Sequence, residues 1–192
     1  MARVKLVLVT IFVLALSGAL TLVLWVHSHR FGTQGEPSWA ERSLARYARR
    51  MAMPDAARDL ENPQPLTPES LPPAREHWVA HCSTCHGLDG RGDTPVGRNL
   101  YPRVPDLTAP ETQQRTDGEL FFIISNGVRF TGMPGWGNED TPESIWELVG
   151  FIRRLPRLDP KEVEAMRSQS ESGGAPSGKP NRHAPGTPPH KH

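Results

Sequence analysis

The uncharged run from Leu6 to Val26, about 21 residues long, constrains this chain more than any other feature of it. Inside a bilayer every backbone N–H and C=O must be satisfied within the segment, so such a run crosses only as a helix, and about 20 apolar residues are enough. Arg3 and Lys5 precede it and favour a cytoplasmic N-terminus, which places the residues after the run outside the cytoplasm. His27, His29 and Arg30 on the far side are few, and free histidines are mostly neutral near pH 7. A cleaved secretory signal is the alternative. Its apolar core is usually shorter and its small-residue cleavage site comes after that core, whereas Ala15, Ser17 and Ala19 lie inside this run. Residues 1–30 therefore read as a cytoplasmic start and an uncleaved anchor, and both readings export the rest.

The exported part is poor in core-forming residues. The hydrophobic fraction is 36% with the anchor included, and the chain has 20 prolines and 17 glycines, which favour turns over long elements. A domain so built usually needs a metal, disulfides or a cofactor to complete its core. Two cysteines occur and both fall in one Cys-x-x-Cys-His unit, so none is left for a structural disulfide. The net charge of +1, with interspersed signs, gives no case for nucleic acid. Arg42, Arg46, Arg49 and Arg50 lie close together, but Glu41, Asp55 and Asp59 flank them. The run reads as a solvated helix face in preference to a docking patch for anionic lipid or a partner.

Residues 31–71 read as a tether with one short helix, because Ser38 and Glu41 form a capping-box pattern ahead of Leu44, Ala45, Ala48, Met51 and Ala52. Five prolines between Asn62 and Pro73 make an extended lead-in. The domain proper is expected over 72–167. Its first helix covers 74–85, with Trp78, Val79 and Cys82 on the buried side, and Gly87 ends it. A long loop, 87–114, comes next; loops of that length usually have a reason, such as wrapping a ligand. Thr116 and Glu119 start a second helix that Gly127 stops, and Thr141-Pro142 starts a third, in which Ile145, Trp146, Val149, Ile152 and Leu155 recur at helical spacing. No strand-like alternation stands out, so the domain is all-α. The tail from Ser168 to His192 lacks large apolar residues and is expected to be disordered; His183, His190 and His192 read as incidental to it rather than as a loose metal site.

The chemistry is concentrated in Cys82-Ser83-Thr84-Cys85-His86. This is the spacing of c-type haem attachment: two thiols one helical turn apart add to the two vinyl groups of one porphyrin, and the adjacent histidine comes under the iron. A thioredoxin-like site would need the motif between strand and helix, and no sheet pattern surrounds it. A structural zinc site would need four protein ligands, and there is no second cysteine pair. His77 and His81 share a helix with His86 and cannot easily reach the opposite face of the ring, so they read as surface or supporting residues.

Met133 is the candidate for the sixth iron position. Met1 is terminal, Met51 and Met53 are upstream of the domain, and Met166 borders the tail, whereas Met133 lies in Thr131-Gly132-Met133-Pro134-Gly135-Trp136. Glycines there let the backbone approach a flat ligand and Pro134 stiffens the loop. An iron with both axial positions filled suits outer-sphere electron transfer, and a thioether ligand raises the reduction potential. Trp136, Phe130, Phe121, Leu100 and Leu107 are expected to wall the pocket, each with ordinary core filling as the alternative. Arg91, Arg98, Arg103 and Arg129 are candidates for the haem propionates or for solvent. A backbone carbonyl between Pro95 and Leu100 is the expected acceptor for the His86 ring N–H.

With these residues in view the chain resembles a class I cytochrome c, in the group of haem-c domains typified by subunit III of cbb3 oxidases. The resemblance spans about 69–155 and rests on Cys82 to Gly87, Asp89-Gly90-Arg91-Gly92, Pro105 and Leu107, Asp117-Gly118-Glu119-Leu120 and Gly132-Met133-Pro134. It is closer to small anchored cytochromes through Ala57-Arg58-Asp59-Leu60-Glu61-Asn62-Pro63 and Asn126-Gly127-Val128-Arg129-Phe130-Thr131-Gly132-Met133-Pro134. It implies a three-helix wrap around one covalent haem c, with first and last helices packed across each other, His86 and Met133 on the iron, and assembly outside the cytoplasm. The leading functional reading is a carrier of single electrons between redox proteins, such as quinol-oxidising complexes, dehydrogenases or oxidases, with no enzyme activity of its own; the resemblance does not name the partner. The oxidase subunit usually carries two attachment motifs and this chain has one. The alternatives are a haem subunit fixed to a membrane complex, or an open-site ligand sensor or peroxidase-like enzyme.

Overall fold

The computed structural model describes residues 2–29, 32–33 and 35–171. The chain divides into two compact units, Met1–Gly35 and Glu36–His192. In the first, helix α1 (Ala2–His29) is long and apolar enough to cross a membrane. Its hydroxyls are satisfied within the helix: Thr10 donates to Leu6 O at 2.9 Å and Thr21 to Ser17 O at 2.8 Å. No polar side chain at these positions is then left to desolvate alone.

The second unit is all-α, without a strand among its described residues. Its elements are α2 (Trp39–Ala52), α3 (Asp55–Arg58), α4 (Leu71–His77), a π-helical turn Trp78–Cys82, α5 (Ser83–His86), α6 (Pro95–Asn99), α7 (Pro110–Gln113), α8 (Asp117–Asn126), α9 (Pro142–Arg154) and α10 (Pro160–Glu171). The capping boxes at Ser38/Glu41 and Thr116/Glu119 form as expected, and Thr141 caps α9 with Pro142 in its first turn. α4 and α8 both pack on α9. Trp78, Ile145, Leu148, Val149, Phe151 and Met166 are almost wholly buried there, and at roughly 1.5–3 kcal/mol for each large side chain they supply the main stabilising term.

Three features depart from the sequence reading. Residues 53–60 are part of the body and not of a tether: Met53 and Ala57 are buried, Gly118 N donates to Leu60 O at 3.1 Å, and a Cβ on Gly118 would fall 1.9 Å from Ala57 O. Only glycine lets α3 come so close to the start of α8. The loop 87–114 contains two short helices, α6 and α7. Helix α10 runs four residues past the expected end of the domain, because Asp159 Oδ1 accepts from Lys161 N and Glu162 N, Glu162 Oε2 accepts from Asp159 N, and Met166 is buried in the core. The remainder of the expected tail, with His183, His190 and His192, lies outside the described residues.

Candidate functional site

The Cys-x-x-Cys-His unit occupies the end of the continuous helical stretch 71–86. Ser83 N donates to Trp78 O, five residues back, so the turn holding Cys82 is π-helical. The wider turn rotates the cysteines relative to Trp78, and such bulges often mark functional positions. Gly87, at φ +78°, closes the helix with its N–H on Ser83 O at 2.8 Å. The next loop then folds back over the motif. Gly92 N donates to His86 O at 2.7 Å, and Thr94 Oγ1 donates to Cys85 O at 3.1 Å while accepting from Gly97 N at 2.8 Å. A Cβ on Gly97 would lie 2.6 Å from Cys85 O, so the close approach requires glycine.

Met133 sits in a loop tied to itself and to α8. Val128 N donates to Met133 O at 3.1 Å, Thr131 Oγ1 accepts from Met133 N at 3.2 Å, and Trp136 N donates to Ile124 O at 3.0 Å. The loop meets the motif helix through Trp136, whose ring centroid is 5.2 Å from His81 and 6.4 Å from His77. It also meets the 87–107 loop, since the space beside Gly132 is filled by Leu100. Cys82 and Met133 both border the main core. The four candidate residues are thus gathered on elements that touch each other.

Burial sets the chemistry of the motif. It pushes the Cys82 thiol up to about 12, with the charges of Asp140 and Cys85 adding to the effect, so this sulfur is protonated and not a free thiolate nucleophile. Burial also pushes His86 down to about 4, leaving a neutral imidazole, the form that ligates a metal. His86 Nδ1 is buried with no hydrogen-bond partner, and so is Nε1 of Trp78, whose ring lies 6.0 Å from His86. The expected acceptor between Pro95 and Leu100 does not form: Pro95 O receives Asn99 Nδ2 at 2.8 Å, and Gly97 O receives Val104 N at 3.4 Å. Among the described residues no three His, Cys, Asp or Glu side chains converge to hold a metal ion. The donor set is therefore two free thiols and a neutral buried imidazole, which fits a porphyrin that brings its own four nitrogens.

Several supporting expectations change. Phe130 is 93% exposed at φ +62° and takes no part in the core. Phe121 stacks on Trp146 at 4.2 Å as ordinary core, and Leu107 is buried. Arg91, Arg98 and Arg103 pair with Asp89, Asp93 and Glu36. His77 is the supporting residue that sequence undervalued: its Nε2 lies 3.2 Å from Asp140 Oδ2, joining the motif helix to the end of the Met133 loop. Burial lowers its pKa, against the pull of Asp140. The i, i+4 spacing of His77 and His81 ahead of the cysteines was the available signal, but Asp140 is 63 residues away in sequence.

These features define a helical, cytochrome-like domain. More particularly, residues 69–152 match the family described as cytochrome c oxidase, cbb3-type, subunit III, and the domain resembles that subunit. Among solved structures, a chain of the reducing HAO-like protein complex of Kuenenia stuttgartiensis aligns at 21% identity and a TM-score of 0.42, over 50% of this chain and 49% of that one. This chain thus spans about half the length of that relative. Cytochrome cL of Methylophaga aminisulfidivorans aligns at 19% identity and a TM-score of 0.38, over 79% of this chain and 89% of that one. No curated protein matches the sequence.

Proposed function

We propose that this protein is a membrane-anchored monohaem cytochrome c that carries single electrons on the non-cytoplasmic side of the membrane. Cys82 and Cys85 would hold the haem through thioethers, and His86 and Met133 would supply the protein's donor atoms to its iron. The observation that carries the reading is the docking of the Met133 loop onto the Cys82–His86 helix through Trp136, His77 and His81. When bound, the haem supplies a one-electron couple at iron. The protein's part is to keep the His86 ring neutral and buried, to hold the Met133 loop by its backbone bonds, and to exclude water with the core around Trp78 and Phe151. In this reading 1–30 is the anchor and the haem domain, expected over 72–167, gains residues 53–60 as packed parts of its body.

The test is the optical spectrum of the full-length exported protein, oxidised and reduced, with carbon monoxide added to the reduced form. A low-spin haem c with the weak red methionine-to-iron band and no response to carbon monoxide supports the proposal. A high-spin spectrum or ready carbon monoxide binding overturns the Met133 assignment in favour of ligand sensing or catalysis. Met133→Ala should keep haem attached while lowering the potential, and loss of attachment would contradict the division of roles. A second reading, a haem subunit fixed in a membrane complex, gains from the docking of residues 53–60, which removes a joint that a swinging carrier would use. Co-purification with an oxidoreductase in stoichiometric amount would favour it.

A further inference from the structure

Seven of the protein's arginines, Arg58, Arg91, Arg98, Arg103, Arg153, Arg154 and Arg167, pair with carboxylates in the described residues. Arg46, Arg49, Arg50 and Arg115 do not, and these four line one cavity of about 210 Å³ between the end of α2 and the turn joining α7 to α8. Buried Met53 contributes an apolar wall. Glu111 and Glu119 also reach the cavity, leaving a net charge of +2. Glu119 is committed elsewhere: it accepts from Thr116 N at 3.1 Å and lies 3.9 Å from Arg58. The arginine run is largely the solvated face it was expected to be, with Arg42, Arg46 and Arg50 exposed and Arg49 half-buried.

We propose that this cavity binds a phosphate-class oxyanion through Arg46, Arg49, Arg50 and Arg115. Burial lowers the Arg49 pKa, and repulsion from Arg115 and Arg46 lowers it further, so the arrangement is electrostatically uphill without an anion. A helix-dipole role accounts for Arg49 and Arg50 in the last turn of α2, but not for Arg115, which comes from a separate element. Guanidinium forks match phosphate oxygens two at a time, which selects tetrahedral oxyanions over halides. The volume is several times the roughly 30 Å³ share of one water, enough for a phosphate group and part of its substituent. That group belongs either to a soluble phosphate compound or to the headgroup of an anionic phospholipid. The site is independent of the haem assignment.

The experiment follows amide hydrogen exchange in α2 and in residues 110–119 of the full-length protein in nanodiscs. In discs of phosphatidylcholine alone, inorganic phosphate at about ten times its dissociation constant should slow opening of α2 about tenfold, beyond chloride at equal ionic strength. Discs containing phosphatidylglycerol, without added phosphate, test the headgroup. Slowing in the first arm identifies a soluble ligand and slowing in the second a lipid, and either supports the site. Arg115→Gln and the exposed Arg46→Gln should each abolish the slowing, and neither should speed exchange of α2 when no anion is present, since each removes a like charge. Arg91→Gln, distant and already paired, should behave as wild type. No slowing in either arm, slowing matched by chloride, or equal loss in Arg91→Gln overturns the proposal.

Discussion

Helices α2 and α9 are almost equal in length, at 14 and 13 residues, and each begins at a side-chain cap, yet α9 buries six side chains and α2 none. The difference lies in what their apolar stripes can meet. α9 presents Ile145, Trp146, Leu148, Val149, Phe151 and Ile152 to helices α4 and α8. In α2 the large apolar residues Trp39, Leu44, Tyr47 and Met51 are all at least 63% exposed, while the half-buried positions are Ser43 and Arg49. Capping and periodicity thus make a helix and give it a face, but a face becomes core only when another element covers it.

The largest effect should come from Phe151→Ala in α9, which empties a site touching Trp78 at a 5.6 Å ring separation and should cost about 3–5 kcal/mol in denaturant unfolding. Leu44→Ala in α2, 69% exposed, should change stability by less than about 0.5 kcal/mol. Comparable costs for the two would dissolve the contrast between these helices. Gly118→Ala comes next, because its Cβ collides with Ala57 O; it should cost about 1–3 kcal/mol and open residues 53–66 to protease. Unchanged cleavage would show that α3 is not held by α8.

A pH effect of smaller size should come from His77. Its folded pKa is depressed, so its contribution to stability is complete above the unfolded value near 6.5 and is lost as pH falls through the lower folded value. Thermal midpoints recorded from pH 7.5 to 5 should therefore decline on the acid side, less steeply in His77→Gln. Equal slopes would remove His77 from the account. The smallest effect belongs to Ser38→Ala, about 1 kcal/mol in local opening of α2, with the global midpoint hardly moved. A global loss would mean that α2 is tied to the core more firmly than its exposure shows.

Much of this was legible because it is local. The long uncharged run, the boxes at Ser38/Glu41 and Thr116/Glu119, the Thr141-Pro142 start and the glycine stops each need only neighbours in sequence, and each forms where it was expected. Asp159-Pro160-Lys161-Glu162 carries the same kind of signal and starts α10, although the sequence reading ended its last helix before Pro156. Cys82, Cys85 and His86 stood out as a candidate unit through their spacing, and Met133 as a candidate through its glycine-proline loop.

Tertiary structure decided what spacing cannot encode. It brought Asp140 to His77 and Trp136 to His81, fixing the Met133 loop to the motif helix. It engaged the carbonyls of Pro95 and Gly97 elsewhere, and left His86 Nδ1 buried and unpaired. It set Arg115 against the arginines of α2, so that a largely solvated run also walls a cavity. The physical reason is common to all of these. Caps and helical faces depend on backbone geometry within about one turn, whereas burial, pairing and the field at a charged group depend on which distant segments share its space.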